Sequence, residues 1–392
     1  MQPDRDEILK ALEHVIDPEL RRSVVELDMV RDVVIAGGDI TVTIALTVAG
    51  CPLRASFEEQ VAHALGPVAG VERVRLEFDV MSPEEKATLS ARLRGDVTER
   101  TKGISLDRAT RVIAVASGKG GVGKSSLTVN LAAAFAAQGQ SVGILDADVY
   151  GHSIPHLLGI RQRPVVVDRM IVPPVRRLDP PRRPNGSGPA NRDGRSVSPG
   201  RPDGNTASGV AVKLMSIGFF LEDNSPVMWR GPMLHRALEQ FLSDVHWGEL
   251  DTLVVDMPPG TGDVSISLGQ LLPRAEAVVV TTPQPLAQEV AARAALMAQK
   301  TNMRLIGVIE NMSGEIFGSG GGQALADDLH VPFLGTVPLD PSLRAAGDAG
   351  EPLVVSEPGA PAARAVAELA ETIADTKREH GVGFVKALPV LS

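Results

Sequence analysis

Residues 111–125, Arg-Val-Ile-Ala-Val-Ala-Ser-Gly-Lys-Gly-Gly-Val-Gly-Lys-Ser, decide the fold. Val112 to Ala116 is a short apolar run without polar alternation, as a strand buried on both faces requires. Gly118-Lys119-Gly120-Gly121-Val122-Gly123-Lys124-Ser125 then matches G-x-x-x-x-G-K-S/T. Leu127, Leu131, Ala134 and Phe135 follow on one face of a helix. Strand, glycine-rich turn and helix together let backbone N–H groups converge on phosphate oxygens, and the helix N-terminus adds its positive dipole end. Lys124 is expected to contact the β- and γ-phosphates of ATP, and the Ser125 hydroxyl to hold Mg²⁺. Gly118, Lys119, Gly120, Gly121, Val122, Gly123 and Ser126 complete the cradle.

Beyond this stretch the pattern repeats. Val142 to Leu145, Leu253 to Val255, Ala277 to Thr281, Leu305 to Ile309 and Phe333 to Val337 read as strands separated by helices. Strands apolar on both faces, alternating with helices, predict an α/β fold with a mostly parallel sheet covered on both sides. Asp146-Ala147-Asp148 closes one strand, at the end where ligands meet a parallel sheet. A carboxylate there can orient water or hold Mg²⁺ through water. Leu253-Val254-Val255-Asp256 leads into Met257-Pro258-Pro259-Gly260-Thr261-Gly262-Asp263, a strand that carries an acid into a glycine-rich switch. Asp256 is expected in the Mg²⁺ shell, with Gly260 and Gly262 letting the switch follow the γ-phosphate.

Before this unit, residues 1–81 read as a small α/β unit in the order α-β-β-α-β, with the Gly37-Gly38 hairpin between its first two strands. Ser82-Pro83-Glu84-Glu85 starts a helix, and 82–107 reads as a linker carrying it. Residues 108–376 form the larger unit, and 377–392 read as a flexible tail. Gly381, Gly383 and Pro389 oppose a membrane-binding helix there. Within the larger unit, 176–209 holds seven Arg against three Asp and almost no large apolar side chain. Such a segment cannot offset its ordering entropy and reads as a disordered insertion.

Composition narrows the partners. Among 392 residues, 39 basic against 48 acidic side chains give a charge of −9. A polyanion-wrapping surface needs the opposite balance, so nucleic acid is not the expected partner. Nine Phe, two Trp and one Tyr are too few for a base-stacking platform. No apolar run approaches the ~18 residues of a membrane span, and the start lacks a signal-peptide layout. The single cysteine, Cys51, excludes an internal disulfide and favours a reducing compartment. A cytoplasmic protein without stable membrane association is expected.

The second lysine of the loop, Lys119, resembles the deviant Walker A signature of the MinD, ParA and nitrogenase-iron-protein superfamily. That resemblance implies a nucleotide-sandwich homodimer in which Lys119 reaches the partner's phosphates. It also makes Asp148 the switch aspartate. A closer resemblance rests on five motifs in order: 118–125, Asp-Ala-Asp-Val-Tyr-Gly at 146–151, Met-Trp-Arg-Gly-Pro-Met at 228–233, Asp-Met-Pro-Pro-Gly-Thr-Gly-Asp at 256–263 and Glu-Asn-Met-Ser at 310–313. Together these resemble the Mrp/ApbC family over about 108–375. The first unit, with Asp17-Pro18-Glu19 and Gly50-Cys51-Pro52, is similar to the SufT/PaaD-like domain that often precedes an Mrp domain. The resemblance implies a slow ATPase that carries iron–sulfur clusters to apoproteins as a homodimer, with Asn311 reading adenine. Catalytic roles then fall to Lys119, Lys124 and Asp148, and nucleotide contacts also to Asp146.

One departure stands beside the match. Cluster-carrying members place a C-x-x-C pair after the Asn-Met-Ser motif, whereas residues 310–322 here contain no cysteine. Four thiolates would be needed for a 4Fe–4S cluster, and a homodimer of this chain has two, both Cys51. Any cluster must therefore be labile and involve Cys51, with clients or assembly proteins as partners. Two other function classes remain: an ATP-dependent scaffold or regulatory switch that carries no cluster, and a positioning ATPase of the MinD or ParA kind.

Overall fold

A computed structural model describes residues 3–17, 20, 22–47, 54–95, 106–107, 109–149, 151–168, 170–178, 210–220 and 231–376. Cys51, the tail at 377–392, Tyr150 and residues 228–230 lie outside the described residues.

The first unit runs α1 (Arg5–Leu12), β1 (Val30–Ala36), β2 (Asp39–Leu46), α2 (Arg54–Leu65), β3 (Arg73–Val80). Asp4 caps α1 in a reciprocal box with Glu7. β1 and β2 pair antiparallel, and α2 carries the chain across to β3, which pairs parallel to β2. Ile8, Leu12, Val42, Ile44, Phe57 and Val61 fill the space between helices and sheet. α3 (Pro83–Gly95) follows, with Ser82 and Glu85 exchanging side-chain-to-backbone hydrogen bonds at its start. It is more than a linker helix: Leu89 is buried in the core of the first unit.

The larger unit opens with β4 (Arg111–Ser117) and α4 (Lys124–Ala137), then β5 (Val142–Asp146) and the single turn α5 (Ile154–Leu157). Three short strands come next, β6 (Val165–Val167), β7 (Met170–Val172) and β8 (Val175–Leu178), and then β9 (Val210–Ser216). The chain continues through α6 (Gly231–Ser243), β10 (Thr252–Asp256), α7 (Asp263–Leu271), β11 (Glu276–Thr281), α8 (Pro285–Lys300) and β12 (Arg304–Ser313). It ends with α9 (Gly321–Leu329), β13 (Phe333–Pro338), α10 (Pro341–Ala349), α11 (Leu353–Ser356) and α12 (Pro361–Asp375). Eight strands form one sheet in the order β13-β12-β11-β4-β10-β5-β9-β8, all parallel except β8. Alternate residues feed two cores. Ile113, Val115, Ile144 and Val254 face α4 and α12, while Ala114, Leu145, Leu253 and Val255 face α6 and α7.

The structure corrects the insertion. Arg176, Arg177 and Leu178 belong to β8, which pairs antiparallel with β9 from Val175↔Lys213 to Leu178↔Val210. Neither strand was expected, because the biased composition between them hides the apolar positions at 175, 178, 210, 212 and 214. The rest of the segment, 179–209, lies outside the described residues.

The β6–β7 hairpin was also missed. Ile171 exchanges backbone bonds with the end of α6, its N–H donating to the Asp244 carbonyl at 2.8 Å and its carbonyl accepting the His246 N–H at 2.7 Å. Val167, Met170 and Val172 are buried with the first unit's core, and β6 meets α3. The hairpin thus carries side chains into both bodies.

Candidate active site

Three parallel strands end in register on polar side chains. Asp256 of β10 pairs with Asp146 of β5, and Asp146 with Ser216 of β9. β4 enters the same end and runs into the glycine-rich loop, so strand pairing alone gathers residues far apart in sequence. Two glycines of that loop have steric reasons. A Cβ on Gly118 would lie 2.2 Å from the Val290 carbonyl carbon, because α8 abuts the loop. Gly123 has φ of +80° and caps α4, and a Cβ there would meet the Asn311 amide nitrogen at 2.3 Å.

The charged centre is buried. Lys124 is buried, its ammonium 2.8 Å from Asp256 Oδ2 and 3.4 Å from Asp148 Oδ2. The Ser125 hydroxyl donates to Asp256 Oδ2 at 2.7 Å, and the Thr128 hydroxyl reaches Asp256 Oδ1 at 2.7 Å. Asp148 Oδ1 accepts the Gly151 N–H at 3.0 Å. Asp146 Oδ1 accepts the Asp148 N–H at 3.2 Å, and Asp146 Oδ2 accepts the Ser216 hydroxyl at 2.7 Å. Burial first, and then the charge of Asp256, push the Asp146 carboxyl up to about 8. A protonated Asp146 relieves a centre in which three carboxyls face one ammonium.

Lys119 sits differently. It is half-buried, its carbonyl accepts the Ser117 hydroxyl at 3.1 Å, and its ammonium has no partner among the described residues. The switch after Asp256 is tethered to the loop, the Gly260 N–H donating to the Ser117 carbonyl at 2.9 Å.

Asn311, near the end of β12, is brought to the loop as well. Its amide nitrogen donates to the Val122 carbonyl at 2.8 Å, while its buried Oδ1 has no hydrogen-bond partner among the described residues. An orphaned acceptor beside a phosphate-binding turn is suited to a donor on a bound base. Its neighbour Glu310 turns the other way, both carboxylate oxygens accepting N–H groups of Gly320 and Gly322 at the start of α9. Between them, Gly314 and Gly318 exchange backbone bonds and close a small loop that presents Ile316. No thiol lies in this stretch.

Sequence reasoning missed Thr128 and Ser216. Ser216 was findable once β9 is recognised as a strand, since it occupies the same strand-end position as Asp146. Thr128 had no motif to mark it. The Mg²⁺ expectation fits the donor set: Ser125 and Asp256 offer a hydroxyl and a carboxylate already in contact, the hard oxygens that Mg²⁺ prefers. Among the described residues no group of three or more His, Cys, Asp or Glu side chains is arranged to hold a metal.

Both units of the chain match families of known proteins. Residues 108–179 and 202–374 match the family model described as a NUBPL iron-transfer P-loop NTPase, and residues 5–76 match that of an iron–sulfur cluster assembly protein. An iron–sulfur cluster carrier protein of Mycobacterium tuberculosis is 46% identical over 388 residues, covering 95% of this chain and 93% of the relative. One from Synechocystis is 39% identical over 380 residues, covering 94% of this chain and 96% of that protein. A solved nucleotide-binding protein in complex with ADP from Archaeoglobus fulgidus is 34% identical, with a TM-score of 0.48, covering 62% of this chain and 87% of that one.

Proposed function

The chain belongs to the family of iron-transfer P-loop NTPases, and from that premise we propose that it is an ATP-hydrolysing carrier that delivers iron–sulfur clusters to apoproteins as a homodimer. The observation that carries the nucleotide half is the buried contact of Lys124 with Asp256 and Asp148 at the mouth of the loop. A lysine so placed is fixed beside the phosphate cradle, with Ser125 and Asp256 the residues to hold Mg²⁺. When bound, Mg²⁺ supplies charge neutralisation at the phosphates. Asp148 orients the attacking water. The Lys119 ammonium, without a partner among the described residues, supports a role on the phosphates of a second copy. Asn311 Oδ1 accepts from the adenine amine. Hydrolysis is slow, because it times a conformational cycle rather than turning over a metabolite.

The cargo half rests on kinship of both units: the first matches a cluster-assembly domain and the second an iron-transfer NTPase. Since residues 310–322 offer no thiolate, the cluster is held through Cys51, with ligands from a second copy, a partner protein or a small thiol. With two protein thiolates the remaining ligands are exchangeable, which makes the site labile and suits transfer better than storage. The test is anaerobic reconstitution with iron and sulfide of the parent and Cys51→Ser, read by absorbance near ~400 nm, the region of Cys-ligated clusters, followed by transfer to an apo-ferredoxin. Substoichiometric binding is expected in the parent and none in the variant. Equal occupancy in both defeats the Cys51 assignment. No cluster in either moves the function to an ATP-dependent scaffold.

A further inference from the structure

The two oxygens of Asp256 are held in different ways. Oδ2 accepts the Ser125 hydroxyl and lies beside the Lys124 ammonium. Oδ1 accepts the Thr128 hydroxyl at 2.7 Å. Thr128 stands four residues after Lys124, on the same face of α4 one turn further in. It is fully buried, in a helix whose other buried residues are all apolar except Lys124 and Asn130. Its hydroxyl is also 3.0 Å from the Lys124 carbonyl. One hydroxyl has one proton, and a buried carboxylate is the stronger acceptor.

We propose that Thr128 is a positioning residue for the Mg²⁺ carboxylate: by fastening Asp256 Oδ1 it holds Oδ2 towards Ser125, where the ion is received. The inference rests on the nucleotide reading of residues 118–125 and Asp256. A carboxylate on a single methylene rotates freely about its last bond unless one oxygen is tied. Ser125 ties Oδ2 but is itself expected in the Mg²⁺ shell, so it cannot serve as the fixed point. Thr128, buried one turn beyond the loop, can. Packing alone does not ask for a hydroxyl here, since valine has nearly the same shape.

The test compares the parent with Thr128→Val and Thr128→Ser, measuring binding of a fluorescent ATP analogue in EDTA and across a Mg²⁺ titration. In EDTA all three should bind within about twofold of one another, because Thr128 does not touch the phosphate cradle. The Mg²⁺ concentration that gives half of the metal-dependent tightening should rise about tenfold in Thr128→Val, the scale of one hydrogen bond to a charged group. Thr128→Ser should stay within about threefold of the parent. A Thr128→Val protein that titrates with Mg²⁺ like the parent overturns the proposal. So does a serine variant as impaired as valine, or loss of binding in EDTA by valine alone, each of which marks a packing role. A parent that binds no nucleotide under either condition removes the underlying nucleotide reading, and Thr128 with it.

Discussion

Replacing Asp146 by asparagine should make the protein progressively more stable than the parent as pH rises. Asp146 is completely buried, and burial together with the charge of Asp256 raises its carboxyl to about 8, against the opposing pull of the Ser216 hydroxyl, the Asp148 N–H and Lys124. In the unfolded chain the same carboxyl titrates near ~4. Between those two values the folded protein keeps a proton that the unfolded chain has released. Stability therefore falls with rising pH at about 1.4 kcal/mol per unit and levels off only above the folded value. Across the two units from pH 5 to pH 7 this one group costs about 3 kcal/mol. Asparagine carries no such proton. It keeps the carboxyl's shape, its Oδ1 can accept the Asp148 N–H, and its Nδ2 can donate to the Ser216 oxygen. The assay is urea unfolding of parent and Asp146→Asn at pH 5, 6 and 7 in EDTA without nucleotide, so that titrating groups not coupled to Asp146 cancel in the difference. The gap should widen by about 3 kcal/mol in favour of the variant. Two stability profiles that run parallel over this range would refute a protonated Asp146.

Lys124→Ala should lose ATP binding, whereas Lys119→Ala should keep it and hydrolyse ATP about 10³-fold more slowly, the scale of a charge supplied in trans. Parent-rate hydrolysis by Lys119→Ala would sink the sandwich mechanism, and Asp148→Ala should behave as Lys119→Ala does. Replacing residues 179–209 by a short Gly/Ser bridge should leave fold and ATPase rate nearly unchanged. Leu178 and Val210 are already paired across β8 and β9, so the bridge closes a hairpin, and loop entropy changes by only about 0.6 kcal/mol per doubling of length. A melting temperature many degrees lower would show that the segment packs on the core.

Much of the site was legible because a phosphate-binding loop is a local object. Gly118 to Ser125 form it within one turn, and Asp146 and Asp256 announce themselves at the ends of apolar strands. What stayed hidden depends on pairing across the chain. Ser216 acquires its place only when β9 lies beside β5, and Thr128 only when β10 lies beneath α4. β8 and β9 escaped for a different reason: each adjoins a run of Pro, Gly and Arg that dominates any composition window. The helix at 83–95 read as a linker because its sequence is mostly polar, although Leu89 is buried in the first unit's core and Glu85 pairs with Arg31.

The hairpin at 165–172 bears on what counts as a module in this chain. The matches at 5–76 and at 108–179 with 202–374 meet the eye as two separable pieces, yet Val167, Met170 and Val172, from deep within the second, complete the apolar interior of the first. Ile171 between them is bonded to the strand of backbone leaving α6. The boundary of sequence ancestry and the boundary of physical autonomy therefore do not coincide. A substitution at Met170 answers to the N-terminal unit, whichever unit's lineage it was inherited with, and an N-terminal piece cut at residue 107 would leave with an open seam in its interior.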